Sequence, residues 1–310
     1  MSDFLKRTKK GWSRFKRNIE LTILALPAVI WMLIFRYIPM VGVIIAFKRY
    51  RYDLGIFDSP WVGFKNFEFF FTSRVAGVVT RNTILYNLGF ILITTTVSLT
   101  FAVLLNELPR GWVKFHQTAL FLPYFLSWVA VSYIVTAFLD YQHGYVNEAR
   151  QILGMEPVRW YFEPKYWPII LNIVHLWKSV GFSTLVYYAG IMGIDPTLYE
   201  AAEIDGASKW QLTRYITLPL LMPLVIVLFI LALGNIFRGD FGLFFFVPSN
   251  SSFLFSATDI IDTYVYRALF QIADLGMGAA VGLYQSVVGL ITVLLANTIV
   301  RRISRERALW

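Results

Sequence analysis

Long apolar stretches dominate this sequence of 310 residues and restrict what it can fold into. A helix that crosses the hydrocarbon core of a bilayer, which is roughly 30 Å thick, needs about 20 apolar residues. Only 15% of the residues are charged, against about 25% in soluble domains. The sequence therefore predicts an all-α integral membrane protein. Its six transmembrane helices (spans one to six) cover approximately residues 20–47, 82–106, 113–139, 167–193, 218–237 and 275–300.

Prolines indicate that two of the predicted spans are not straight. Span one is longer than a bilayer requires and contains Pro27 and Pro39, so we expect it to be tilted, kinked or partly interfacial. Its apolar run is too long for the core of a signal peptide, so we expect it to be retained. Pro123 lies within span three, where we expect a kink.

The distribution of basic residues predicts the orientation of the chain. If the N-terminus is cytoplasmic, the inner segments carry more Lys and Arg than Asp and Glu, whereas the outer segments carry equal numbers, as the positive-inside rule requires. Residues 1–19 then form a cytoplasmic basic arm and residues 301–310 a cytoplasmic basic tail. The transmembrane domain, residues 20–300, includes a cytoplasmic loop at about 195–217. The net charge of +9 follows from this topology and does not indicate nucleic-acid binding.

Several kinds of chemistry are absent from the sequence. There is no cysteine, and the three histidines lie far apart without metal-ligand spacing. There is also no glycine-rich phosphate loop of the G-x-x-x-x-G-K-[ST] type. We therefore expect a non-catalytic chain that binds no metal and no cofactor of its own, and whose energy comes from another subunit.

The predicted cytoplasmic loop between spans four and five has an unusual pattern. Asp195 can cap a helix that begins at Pro196. Gly206 can adopt, at a bend, a backbone conformation that a residue with a Cβ atom cannot. We therefore expect two short helices that meet at this bend. Ala201 and Ala202 keep one face of the first helix small, so that another protein can approach it closely.

This loop resembles the EAA loop of binding-protein-dependent importers, which reads Glu-Ala-Ala, two residues, Asp-Gly-Ala and then Ile-x-Leu-Pro. The resemblance implies the type I ABC importer permease (MetI-like) fold. It also implies that the loop carries a coupling helix, which docks on a separate ATPase that binds ATP and Mg²⁺. In this sequence the matching residues are Glu200, Ala201, Ala202, Asp205, Gly206, Ala207, Ile216, Leu218 and Pro219, with Pro223 in the continuation.

Three further stretches are similar to permeases of carbohydrate importers, in particular to the branch that contains LplB. They are residues 37–42 with 46–48, residues 59–67, and residues 144–147 with 153–154. Members of this branch are similar to permeases for pectin- or alginate-derived oligosaccharides. The resemblance implies a bacterial cell-membrane protein that works by alternating access. Its partners would be a second homologous permease, two ATPase domains, an extracytoplasmic solute-binding protein and the surrounding membrane lipid.

Charged and polar side chains inside the spans are the candidate substrate contacts, because charge there is costly and usually functional. His175, Lys178 and Phe182 lie on one face of span four. Asn235 and Arg238 lie three residues apart at the end of span five. An ammonium group can pair with a uronate carboxylate, and an aromatic ring can stack on a pyranose. Since the family lines its cavity from these two spans, we predict that these five residues contact an oligosaccharide.

Tyr284 and Gln285 of span six are further candidates for the substrate pathway. Structural roles stay open for the whole set: a lysine can pair with an acid of a partner chain, and a histidine can hydrogen-bond a neighbouring helix. Two other functions also stay open. One is a permease of the same class for another solute such as a peptide, and the other is a secondary transporter.

Overall fold

The chain is described by a computed structural model over residues 19–271 and 273–303. The predicted basic arm and most of the basic tail lie outside these residues. Within them the backbone is helical almost throughout. The β-pairing there consists of two isolated bridges, from Lys48 to Trp61 and from Arg51 to Gly55.

Fifteen α-helices are present in the part of the chain that the structure describes. In chain order they are α1 (Ile19–Met32), α2 (Gly55–Asp58), α3 (Lys65–Thr72), α4 (Arg74–Asn106), α5 (Arg110–Phe121), α6 (Trp128–Leu139), α7 (Tyr145–Ile152), α8 (Trp167–Met192), α9 (Pro196–Ile204), α10 (Lys209–Leu212), α11 (Leu218–Leu233), α12 (Phe241–Phe246), α13 (Phe255–Thr258), α14 (Ile261–Gln271) and α15 (Leu275–Ile303). Short 3₁₀ helices lie at Ile38–Phe47, Leu122–Phe125, Trp160–Phe162, Pro164–Tyr166 and Ser252–Leu254, and π-helical turns at Leu33–Tyr37 and Thr213–Thr217.

All six predicted spans correspond to helices that are long and apolar enough to cross a membrane, provided that the bent pair α5 and α6 counts as one span. Span one is α1 with its π and 3₁₀ extension, span two is α4, span four is α8, and span six is α15. Span five runs through α10, the π-helical turn and α11. The predicted all-α architecture is therefore confirmed.

The boundaries of two spans differ from the prediction. Span two begins at Arg74, because Ser73 accepts a hydrogen bond from the Ala76 N–H (3.1 Å) and the helix continues through the charged residues that interrupt the apolar run. Span five begins at Lys209 and ends at Leu233. The second of the two short helices predicted for the cytoplasmic loop is therefore the start of span five.

The two halves of span one differ in how far they are buried. None of the residues in α1 is buried. The helix continues without a break past Pro27. After residue 32 the helix changes to π and then 3₁₀ geometry, and the 3₁₀ segment packs against α15 through the fully buried Ala46. The prolines predicted an irregular span, and the irregularity that the structure shows is a change from α-helical to π and 3₁₀ geometry in the second half.

Span three is broken in the middle of its apolar run. The segments Gly111–Phe125 and Trp128–Leu139 meet at an angle of 99°, so the predicted kink is confirmed and is sharp. Ser127 caps the second segment by accepting from the Ala130 N–H at 3.1 Å. On the other side of the break, Lys178 Nζ of α8 donates to the Tyr124 carbonyl at 2.8 Å. Backbone groups within a bilayer must find such partners, since water is not available to them.

Spans two and four form the most extensive helix pair of the bundle. The outer part of α4 also fixes the connection between spans five and six. Asn82, Thr83 and Tyr86 make hydrogen bonds of 2.8 to 3.0 Å with the backbone of residues 257–261. Within that connection, Asp259 and Arg267 form a buried ion pair. This framework places α4 and α8 side by side with α11.

We expect Lys178→Met to lower the thermal stability of the protein in detergent. The substitution removes the donor to the Tyr124 carbonyl, and an unsatisfied carbonyl at such a position costs about 1–3 kcal/mol. Lys114→Met is the matched control, because Lys114 is an exposed lysine of span three. Equal unfolding temperatures for the two variants would show that the ammonium does not support the break.

Candidate functional site

A cleft of about 340 Å³, which we call the central cleft, lies between α4, α8 and α11. Hydroxyl, amide, imidazole and aromatic groups line it, and none of its described lining residues carries a charged side chain. The polar and aromatic members are Asn87, Phe90, Thr94, Thr95, His175, Ser179, Phe182, Ser183, Tyr187, Phe229 and Asn235.

His175 and Thr94 give the central cleft its most distinctive chemistry. The His175 ring stacks on Phe90 with ring centroids 3.8 Å apart and planes 10° apart. His175 Nδ1 and Thr94 Oγ1 are both buried, and neither has a hydrogen-bond partner within the described residues. Native proteins rarely leave such atoms unpaired, because each costs about 1–3 kcal/mol. Because both residues line the cleft, the two atoms are candidate partners for a polar ligand.

Phe182 supplies an aromatic surface on the same side of α8. Its side chain is 46% exposed, and its ring stacks on that of Tyr124 with centroids 5.0 Å apart. One face of the ring is thus supported by protein, while the residue still lines the cleft. A supported ring of this kind can stack against the apolar face of a sugar. Of the seven residues that the sequence nominates for the substrate pathway, His175, Phe182 and Asn235 line the central cleft.

The two cations of the predicted set lie elsewhere. Lys178 is committed to the break in span three, where its ammonium also lies over the rings of Tyr124 (5.5 Å) and Trp128 (5.2 Å). Arg238 is exposed beyond the end of α11 and donates from Nη2 to Ser286 Oγ at 3.1 Å. The Arg238 carbonyl accepts from Asn87 Nδ2 at 2.9 Å, which puts this residue beside the cleft.

The two residues predicted from span six serve as packing and hydrogen-bonding elements, and neither lines the central cleft. Gln285 is 7% exposed and donates from Nε2 to the Phe237 carbonyl at 2.7 Å. It also lies 3.4 Å from the carboxylate of Asp262, whose pKa is raised by burial and lowered in part by the Gly239 N–H. Tyr284 packs in a cluster of rings with Phe70, Phe71 and Phe237.

Span two contributes lining residues that the prediction did not include. Asn87 and Thr94 lie seven residues apart in α4, which places them on one helical face. Ser179 and Ser183 continue the face of His175 at spacings of four residues. In both spans the available signal was a polar stripe with helical period inside an apolar run.

The coupling loop predicted from the sequence forms a second candidate site. Asp195 caps α9 by accepting from the Thr197 N–H at 3.0 Å, and this N–H holds the pKa of Asp195 below its usual value. Gly206 has a φ of +82°, so the bend occurs where it was predicted, in a left-handed conformation that most residues with a Cβ atom disfavour. The helix end is closed by the Ala207 N–H, which donates to the Ala202 carbonyl at 2.9 Å.

Most residues of this loop are exposed to solvent. Glu200, Ala201, Asp205 and Gly206 are exposed, and Ala202 and Ala207 are half-buried. Ile204 is 87% exposed, and Leu198 of the same helix is 45% exposed.

Two side-chain contacts connect this loop to the spans. Tyr199 Oη of α9 lies 2.9 Å from Thr217 Oγ1 at the base of span five. Lys209 Nζ lies 2.5 Å from the carboxylate of Glu107 at the end of span two. A displacement of α9 would therefore act directly on span five, and the Lys209–Glu107 pair joins the start of span five to the end of span two. No group of three or more His, Asp or Glu side chains that could hold a metal ion occurs in the described ranges.

Two curated proteins of Bacillus subtilis (strain 168) are similar to this chain over most of its length. The polygalacturonan/rhamnogalacturonan transport system permease protein YteP is 33% identical over 287 residues, which cover 92% of this chain and 89% of YteP. LplB is 33% identical over 292 residues, which cover 94% of this chain and 91% of LplB.

Two solved structures of a bacterial alginate transporter share the fold. One is of an ABC transporter involved in the import of the acidic polysaccharide alginate. It matches with a TM-score of 0.86 and 34% identity, over 95% of this chain and 99% of that chain. The other, of the alginate ABC transporter in complex with an alginate pentasaccharide-bound periplasmic protein, gives 0.84 and 34%, over 94% and 98%.

A single family model accounts for most of the chain. The model described as "Binding-protein-dependent transport system inner membrane component" matches residues 69–305. This match and the shared structures confirm the type I ABC importer permease (MetI-like) fold. The chain therefore belongs to the family of inner membrane components of binding-protein-dependent transport systems.

Proposed function

We propose that this chain is the permease subunit of an ATP-driven ABC importer that moves an oligosaccharide into a bacterial cell. The family and the names of the relatives support an importer of sugars over a peptide permease or a secondary transporter. The chain itself supplies the pathway and carries out no chemical step.

The main observation behind this proposal is that two polar atoms of the central cleft, His175 Nδ1 and Thr94 Oγ1, have no described hydrogen-bond partner. Sugar hydroxyl groups both donate and accept hydrogen bonds, so they can satisfy His175 Nδ1 and Thr94 Oγ1. The ring of Phe182 can stack on a pyranose, and Asn235 adds an amide at the end of the cleft. Such hydrogen-bonding and stacking contacts can bind a sugar without a charged side chain in the cleft.

A uronate-containing cargo is supported by the relatives, since alginate is described as acidic and YteP is named for polygalacturonan and rhamnogalacturonan. The central cleft contains no cation from this chain among its described lining. Arg238, exposed beside the cleft, is the cation placed to meet a carboxylate at the mouth of the pathway. The second permease would supply the opposite wall.

Energy would enter through the coupling loop. Two ATPase domains bind ATP and Mg²⁺, and α9 docks on one of them through the exposed Ile204 and the polar contacts of Glu200. The contact from Tyr199 to Thr217 would carry its movement into span five, and the Lys209–Glu107 pair would pass it from the start of span five to span two. Nucleotide and sugar then act by favouring one of two conformations of the pathway.

The remaining partners follow from the same assignment. A second homologous permease completes the pathway, and an extracytoplasmic solute-binding protein delivers the sugar, as the periplasmic protein bound to the alginate transporter suggests. The chain would lie in the bacterial cell membrane as a multi-pass protein, with the basic arm, the coupling loop and the basic tail all in the cytoplasm.

Purification of the tagged chain from its native membrane tests the assignment. We expect an ATPase and a second six-span permease to co-purify, as identified by mass spectrometry. ATP hydrolysis by the complex should be stimulated by the binding protein loaded with uronate-containing oligosaccharides. Stimulation of ATP hydrolysis by peptides, and not by oligosaccharides, would identify a peptide as the cargo. A chain that purifies alone and moves solute in vesicles without ATP would be a secondary transporter.

Thr94→Val tests the sugar contact in the central cleft. Since Thr94 Oγ1 has no described partner, replacing it with a methyl group should not lower stability. The apparent KM for oligosaccharide uptake into proteoliposomes should rise about three- to tenfold, the effect of one lost hydrogen bond.

Thr96→Val is the matched control for this substitution. Thr96 lies on the same helix, but its hydroxyl donates to the Leu92 carbonyl at 2.8 Å and does not line the cleft. We expect its uptake kinetics to match those of the wild type. A KM for Thr94→Val that equals that of Thr96→Val would remove Thr94 from the pathway.

Gly206→Val tests the coupling loop. A β-branched residue is strongly disfavoured at φ +82°, whereas asparagine tolerates positive φ. A Cβ atom at this position meets nothing within 4 Å in this chain, and both variants add one, so a difference between them reflects the backbone conformation. We expect Gly206→Val to abolish most of the ATP hydrolysis that the binding protein stimulates, and Gly206→Asn to retain it. Full coupling in both variants would show that the docked bend does not depend on this conformation.

A further inference from the structure

One face of α4 carries a continuous groove at the outer end of the bundle, which we call the outer groove. Arg74, Val78, Arg81 and Leu85 follow one another at spacings of four, three and four residues, so they form one helical stripe. This stripe lines two adjoining clefts of about 470 and 420 Å³ that share Ser256. The two clefts are thus parts of one groove along a single helix face.

The outer groove is strongly cationic. Its charged lining residues are four cations, Arg74, Arg81, Lys165 and Arg267, and one acid, Asp259. Asp259 is already paired with Arg267. Lys165 lies 3.3 Å from the half-buried Glu163, whereas neither Arg74 nor Arg81 has an ion-pair partner among the described residues. An anionic ligand is therefore the expected occupant.

The groove lies on the side of α4 that faces away from the central cleft. Phe90, which lines the cleft, follows Arg81 by nine residues and so points about 180° away around the helix. Deeper along the groove's own stripe come Leu85 and Leu92, which are 59% and 52% exposed. The stripe therefore changes from cationic at the end of the span to apolar within it.

We propose that the outer groove binds an anionic phospholipid. The phosphate lies between Arg81 and Lys165, with Arg74 close by, and an acyl chain runs along Leu85 and Leu92. A sugar chain would require hydrogen-bonding groups where this stripe is apolar, and an acidic protein surface would not extend along a span. Under the proposed orientation, the lipid belongs to the outer leaflet.

Native mass spectrometry of the complete importer tests this site. The complex is released from nanodiscs of phosphatidylcholine alone or of phosphatidylcholine mixed with phosphatidylglycerol. We expect the wild type to retain phosphatidylglycerol and not phosphatidylcholine. The double variant Arg81→Gln/Lys165→Gln should bind phosphatidylglycerol roughly ten- to a hundredfold more weakly, because it lacks two interfacial cations.

Arg51→Gln is the matched control, since Arg51 is an exposed cation outside the groove whose contact is an ion pair with Asp53 at 2.6 Å. Retention should match the wild type in this variant. Equal retention of the two lipids by the wild type, or unchanged phosphatidylglycerol binding in the double variant, would overturn the proposal. So would displacement of the lipid by an acidic oligosaccharide, which would assign the groove to the sugar.

A second measurement does not depend on the folding of the double variant. The chain has no cysteine, so Leu85→Cys provides the only thiol of this chain for a photoreactive maleimide, and the unsubstituted complex treated in the same way shows any labelling of the other subunits. We expect the label in the assembled importer to cross-link to phospholipid. A cross-link to the second permease would show that protein covers the groove and would overturn the lipid site.

Discussion

The hydrogen bond from the Lys178 ammonium to the Tyr124 carbonyl meets a demand that governs the whole bundle, the satisfaction of backbone groups in a medium without water. Span three turns through 99°, and its broken ends are supported on one side by Ser127 and on the other by Lys178. The charge inside span four is thereby explained without a ligand. The bend in turn places the Tyr124 ring behind Phe182, which faces the central cleft. A structural hydrogen bond thus supports the ring that backs the proposed sugar-stacking surface of Phe182.

Three different faces of the helix α4 contribute to three different surfaces of the protein. One face lines the central cleft with Asn87, Phe90 and Thr94. At its outer end, Asn82 and Thr83 hold the connection between spans five and six. The opposite stripe carries the arginines of the outer groove. Because one rigid helix links these surfaces, a movement of the outer connection must be accompanied by a movement of one wall of the cleft.

Local features were predicted well from the sequence, and remote contacts were not. The cap at Asp195 and the bend at Gly206 depend on neighbouring residues, and both occur as expected. The start of span two was missed because arginines break the apolar run without breaking the helix. Lys178 and Gln285 look like pathway residues within their own spans. Their partners, Tyr124 and Phe237, lie 54 and 48 residues away, and no periodicity in one helix reveals such a partner.

The unpaired atoms of the central cleft give a physical basis for the coupling of sugar to transport. His175 Nδ1 and Thr94 Oγ1 are buried without partners among the described residues, and an unsatisfied atom of this kind costs about 1–3 kcal/mol. A sugar that pairs with them stabilises the conformation in which they face it, by an amount that a conformation without those contacts cannot match. A ligand shifts an equilibrium only through such a difference. Under the proposed function, a loaded cleft would therefore favour one state of the pathway, and the coupling loop would impose the opposite shift when the partner ATPase binds ATP.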